Sequence, residues 1–263
     1  MYLGRNGAGK STTIRILLGL ISPTSGTAKI FGRTVGMSPK EILSEIGYLS
    51  SDAAFYSGIK VSDILKLSAQ LRGKDCSKEA SALCERLSLD PSRRVDELSL
   101  GNRKKVGIVC TMQHKPRLYI MDEPTSGLDP LIQREFYSIL SERNAEGATV
   151  FLSCHVLSEV QRYCREAAVI RDGRLLVSSS VESLAHTGAK RVALRGVTAL
   201  PSLADIRDIT MSEDSISFLY GGAPSELLRA LAPLPITDIT ISEPDMEEVF
   251  MHYYEGGVTN DNN

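Results

Sequence analysis

Two short stretches of this chain carry residue types able to do chemistry. One is GRNGAGKS, residues 4–11; the other is LYIMDEP, residues 118–124. The first sets Gly4, Gly9, Lys10 and Ser11 in the spacing GxxxxGK[ST]. Glycines let successive backbone N–H groups curl around an anion, and a helix that follows directs its positive end at the same point. Arg5, Asn6, Gly7 and Ala8 form the curl and Thr12 enters the helix, so the loop suits a polyphosphate. Lys10 is then placed to reach the β- and γ-phosphates, and the Ser11 hydroxyl to ligate Mg2+. In the second stretch, Asp122 closes an apolar run and is placed to hold the metal, while Glu123 beside it can polarise an attacking water. Alone, the first pattern could be a glycine-rich turn and the second an acidic turn. Together they point to phosphoryl transfer to water.

The elements that must position these residues alternate between strand-like and helix-like segments over the first two-thirds of the chain, which favours an α/β sandwich with a mainly parallel sheet. The loop runs into a helical stretch, TTIRILLGLI. TAKIFG and EIGYLS read as strands, and residues 61–114 as mostly helical. RLYIMDEP is an apolar strand stopping on two carboxylates. A helix from Pro130 to about Ala145, a strand ATVFLS and a helix LSEVQRYCREA follow, and AAVIRDGRLLVS reads as a hairpin around Asp172-Gly173. After Thr187-Gly188 the texture changes: RVALRG, IRDITMS, SISFLYG and ITDITIS are strand-like, SELLRALAP is helical and DMEEVFMHYYE is an amphipathic helix. With a short helix at PSLADI the order becomes βαββαβ, a ferredoxin-like plan. The final GGVTNDNN is expected to be disordered.

Bulk properties exclude several classes. No apolar run approaches the ~20 residues needed to span a bilayer, so a membrane role must come through a partner. Cys76, Cys84, Cys110, Cys154 and Cys164 form no CxxC pair, which argues for reduced, structural thiols in a cytoplasm. The net charge of −2 divides unevenly: residues 188–263 carry −7 and the first 187 carry +5. Neither part has the dense basic run of a nucleic-acid surface, and the acidic part would repel phosphate backbones.

The chain resembles the ATP-binding subunits of ATP-binding cassette (ABC) transporters. LSLGN (98–102) is similar to the family's signature, usually LSGGQ; SGLDP (126–130) to its D-loop; and SCHVLSEV contains the switch histidine, His155. The ordered set of motifs covers residues 4–155. The resemblance implies a RecA-like core with a helical subdomain at about 52–115, a cassette over 1–187, a small α+β domain over 188–255 and a tail at 256–263. It implies ATP and Mg2+ as cofactors. Two cassettes, identical or different, would stack head-to-tail around two ATPs, with Ser99 and the Gly101 N–H touching the γ-phosphate of the partner's ATP and Asp129 in the D-loop. Glu123 and His155 are the expected catalytic pair, and a separately encoded permease of the drug- and antibiotic-export branch is the expected membrane partner. The chain would sit at the inner face of the cell membrane.

Departures from the family pattern are specific. Leu100 stands where the signature has glycine, and Asn102 where it has glutamine. If Ser99 and Gly101 make the contacts, Leu100 can point away. Ser51 stands at the Q-loop glutamine position and is too short to reach Mg2+ as glutamine does, so a water would intervene. Family cassettes begin several tens of residues before the phosphate loop, with edge strands and an aromatic that stacks on adenine. The chain therefore reads as N-terminally incomplete, through a misplaced start codon or a truncated gene, with a compact variant that manages without those strands as the alternative. If it is truly short, weakened adenine affinity and an exposed sheet edge are expected. A soluble non-transport ABC ATPase and a degenerate, poorly hydrolysing relative are the alternatives. A GTPase is disfavoured, because no NKxD sequence is present.

Overall fold

The structure is a computed structural model and describes residues 1–36, 39–52, 54–185, 189–197, 199 and 203–244. The chain forms two compact units. One comprises Met1–Val156 with Ala168–Val177, and the other Leu157–Ala167 with Ser178–Asn263. The elements run β1 (Tyr2–Leu3), α1 (Lys10–Leu17), β2 (Lys29–Ile30), β3 (Arg33–Thr34), α2 (Pro39–Ser44), β4 (Ile46–Leu49), α3 (Val61–Leu71), α4 (Ser77–Arg86) and a 3-10 turn at Val95–Glu97. They continue through α5 (Leu100–Met112), β5 (Leu118–Asp122), α6 (Pro130–Ala145), β6 (Thr149–Cys154), α7 (Leu157–Tyr163), β7 (Glu166–Arg171) and β8 (Arg174–Ser180).

The main sheet has the order β4-β5-β6-β1-β7-β8. β1 runs parallel to both flanking strands, Leu3 pairing with Cys154 on one side and Val169 on the other. Only three residues precede the phosphate loop, yet its strand lies inside the sheet; the edges of this sheet are β4 and β8. β2 and β3 form a separate two-stranded ladder. Because β4, β5, β6, β1 and β7 are parallel, their carboxyl ends share one side, where open α/β sheets place their ligands. Asp122, the Cys154–His155 corner and the start of the phosphate loop all fall there.

β5 reads as a continuous apolar run because it is covered on both faces. On one face Ile14 of α1, Leu18 just after it and Ile42 of α2 form a core with Ile46 and Ile120. On the other, α3, α4, α5 and α6 pack Leu65, Leu83, Val109 and Phe136 around Tyr119 and Met121. The expected helices and strands over 61–154 are present, with α6 spanning Pro130–Ala145 as read. Two expected helices end early. TTIRILLGLI stops at Leu17, where Gly19 turns the chain with φ 69°, and LSEVQRYCREA stops at Tyr163, because Glu166 and Ala167 begin β7, whose next residues pair with β1.

His114, beyond the end of α5, is buried, with Nε2 3.3 Å from the Ile46 carbonyl. Burial first, then the Arg72 guanidinium, push its imidazole down to about 4. The unfolded chain binds this proton more tightly, so the neutral histidine's contribution is complete above pH 6.5 and is lost as pH falls toward 4. Urea unfolding at pH 5 is expected to give about 2 kcal/mol less stability from this group than at pH 7. His114→Gln should flatten that slope; an unchanged slope would dismiss the assignment.

The second unit holds α8 (Val181–Ala185), β9 (Lys190–Arg195), β10 (Ile206–Ser212), β11 (Ser215–Tyr220), α9 (Pro224–Leu231) and β12 (Asp238–Ser242). Its antiparallel sheet has the order β10-β11-β9-β12 and packs Val192, Leu194, Phe218 and Tyr220 against Leu227 and Leu231 of α9. All four expected strands and the helix between the third and fourth are present. In PSLADI, Leu203–Asp205 are not helical and Ile206 already belongs to β10, while Pro201 and Ser202 lie outside the described residues. The expected terminal helix and tail also lie outside them. The expected boundary near 188 differs from the observed division, in which residues 157–167 and 178–185 group with the C-terminal sheet. The Val181 N–H donates to the Arg165 carbonyl, tying those two segments together.

Candidate functional site

The phosphate loop is shaped by close approach. A Cβ added at Gly4 would lie 2.7 Å from the Ile170 carbonyl oxygen and 2.9 Å from the Ala8 Cβ, so no side chain fits there. Gly9, at the N-terminus of α1, has φ 104°, which any other residue adopts only under strain. The Ala8 N–H donates to the Arg5 carbonyl and the Gly173 N–H to the Ala8 carbonyl, closing the loop on itself and on the β7–β8 turn. α1 opens with no side-chain cap, which leaves its first N–H groups directed at the loop.

Asn6, Gly7, Gly9, Lys10, Ser11, Thr12, Ser51, Asp122 and Glu123 line one cavity of about 320 Å3. Lys10 is buried; its Nζ donates to the Gly4 carbonyl at 2.7 Å and lies 3.8 Å from Glu123 Oε1. The Ser11 hydroxyl donates to Asp122 Oδ2 at 2.7 Å. His155 Nδ1 lies 3.2 Å from Glu123 Oε1. The structure thus brings together residues separated by more than a hundred positions.

Glu123 itself has φ 47°, an uncommon left-handed conformation for a non-glycine residue. Ser153, which the sequence reading passed over, holds it there. The Glu123 N–H donates to the Ser153 hydroxyl at 3.0 Å, and that hydroxyl in turn donates to Asp122 Oδ1. One serine fixes both carboxylate-bearing residues. Its signal was present: a small polar residue ending an apolar strand, as Asp122 ends the strand beside it.

Ser99, Gly101 and Asp129 lie outside this cavity. Ser99 caps α5, its hydroxyl accepting from the Asn102 N–H, and Asp129 caps α6, accepting from the N–H groups of Leu131 and Ile132. Leu100 is 68% exposed. A Cβ on Gly101 would meet the Gly127 carbonyl oxygen at 2.6 Å, so the signature and the D-loop of one chain abut directly. A larger cavity, of about 670 Å3, lies among α3 and α4, but its lining is mostly apolar and no paired carboxylates face it.

The fit to a divalent cation rests on donor chemistry. Hard oxygens of Ser11 and Asp122 sit together on the cavity wall, which suits Mg2+ completed by phosphate oxygens and water. Among the described residues, no cluster of three His, Cys, Asp or Glu could hold a metal by itself.

The ABC transporter family model matches residues 1–126. The bacitracin transport ATP-binding protein BcrA of Bacillus licheniformis is 33% identical, the match covering 97% of this chain and 88% of that protein. Its namesake from Enterococcus faecalis is 31% identical over 97% of this chain and 87% of its own length. Among solved structures, an ATP-binding subunit of an ABC transporter superposes with a TM-score of 0.66 and 31% identity, covering 70% of this chain and 79% of that one. The chain belongs to the ABC transporter ATP-binding family and is an ATPase of that type.

Proposed function

We propose that this chain is the ATP-hydrolysing subunit of an exporter, energising a separately encoded membrane permease from the cytoplasmic face. Two relatives that match nearly its whole length are named for bacitracin transport, which supports the export reading. Among the described residues, no helix is long and apolar enough to cross a membrane, in keeping with a separate permease. The observation that carries the proposal is the convergence of Lys10, Ser11, Asp122 and Glu123 on one cavity, with His155 Nδ1 3.2 Å from Glu123 Oε1.

In this reading the loop 4–12 wraps the triphosphate, and Lys10 neutralises its β- and γ-phosphates. Ser11 and Asp122 would hold Mg2+, which when bound would offset negative charge on the phosphates. Glu123 Oε1 orients the attacking water and accepts its proton, while His155 steadies the carboxylate and Ser153 its backbone. Ser99 and Gly101 complete the site of a second copy, since a helix N-terminus adds donors to an anion once the pair closes. Ser99 can cap its own helix and still present lone pairs and a proton.

Sedimentation of the purified chain tests the arrangement. With saturating ATP and no divalent metal, its mass should double relative to the nucleotide-free chain. A single-chain mass at saturation would overturn the two-copy site.

A further inference from the structure

α5 carries an unusual residue on its buried face. Lys104 is 3% exposed and precedes the buried Ile108 and Met112 at helical spacing, where an apolar side chain would pack without penalty. An ammonium taken out of water is expensive unless it is bonded. Here Nζ donates to the Ser51 carbonyl at 2.8 Å and to the Ser50 carbonyl at 3.2 Å. Burial pulls its pKa down, while the more distant carboxylates of Asp122, Asp52 and Glu123 act to hold it up.

Its two acceptors belong to the segment whose next contacts are chemical. Ser51 lines the cavity with Ser11, Asp122 and Glu123. Ser50 folds the segment, its hydroxyl donating to the Asp52 carbonyl at 2.5 Å. The Ser51 side chain is short, so this segment's influence on the metal end depends on where its backbone is held and on what charge lies behind it. Lys104 supplies both. It is also a single side chain joining this segment to α5, the helix that Ser99 caps.

We propose that Lys104 is a positioning residue of the ATPase site: its buried ammonium clamps Ser50–Ser51 against α5, so that the metal-facing segment and the signature helix move as one body. The inference rests on the ATPase reading above, but nucleotide binding can test it without turnover.

The test uses the full chain and the variants K104M, K104Q and K104R. Fluorescent ATP-analogue affinity is measured with and without Mg2+, alongside kcat, the Mg2+ concentration for half-maximal rate, and the thermal midpoint. Metal-free affinity of K104M should stay within about twofold of the parent, while the affinity gain on adding Mg2+ should shrink about tenfold and kcat fall by a similar factor. K104R, which keeps the charge, should recover most of both; K104Q, which keeps only donors, should recover less. A K104M chain with the parent's Mg2+ dependence overturns the proposal. So does a loss of metal-free affinity in step with the thermal midpoint, which would make Lys104 merely structural. A parent chain that binds ATP with a metal-dependent gain yet never hydrolyses it would sink the ATPase reading and leave the Lys104 comparison readable.

Discussion

Glu123→Gln is expected to reduce ATP turnover by about 10^2- to 10^4-fold, the range that a positioned general base contributes. The exchange keeps size and shape and removes the ability to accept a proton. The Glu123 backbone is held by Ser153 through groups that the substitution leaves alone, so the left-handed turn at this position should survive. ATP affinity should therefore hold, because the carboxylate 3.8 Å from Lys10 is no phosphate ligand and its removal frees that ammonium for the anion. The paired state with bound ATP should consequently persist for much longer than in the parent. Phosphate release and sedimentation measured on the same preparation check both halves. Turnover equal to the parent would dismiss Glu123 as the base and, with it, the catalytic use of His155.

Lys10→Ala should act on a different quantity. Charged hydrogen bonds contribute about 1.5–3 kcal/mol, so losing the ammonium should weaken ATP binding roughly 10- to 100-fold. The fold should tolerate the change, because the ammonium's partners are two carbonyls of the phosphate loop itself, Gly4 and Arg5, and the Glu123 carboxylate. Lys10→Arg is not a conservative control, since a planar fork does not fit a nest built for a point charge. Equilibrium binding of ATP, with circular dichroism to confirm folding, decides the matter. Unchanged affinity would remove Lys10 from the phosphate site.

Much of this is legible in the sequence alone. The spacing of Gly4, Gly9, Lys10 and Ser11, and the apolar run stopping at Asp122 and Glu123, are local patterns whose chemistry follows from residue type. The α6 boundaries were equally plain, because Asp129 and Pro130 start that helix with a cap and a preset φ. What escaped notice depends on pairing across the sheet. Nothing local says that two residues, Tyr2 and Leu3, form an interior strand; the partners are Ser153–Cys154 and Ala168–Val169. The same pairing took Glu166 and Ala167 from the expected helix. Ser153 escaped because its role needs β5 beside β6. Lys104 escaped because a lysine in a helix normally reads as solvated; its i, i+4, i+8 alignment with Ile108 and Met112 was the available warning.

The absence of a side chain on Gly101 has a further meaning. With the Gly127 carbonyl filling the space where a Cβ would stand, the tip proposed to reach a neighbour's nucleotide rests on the bend that follows this chain's own Glu123. In a symmetric pair the two reaction centres would then be geared through solid backbone, with no compressible layer between the teeth. Firing at one centre would be felt at the other as a displacement, and any bulk introduced at position 101 would jam that gear before it touched a phosphate.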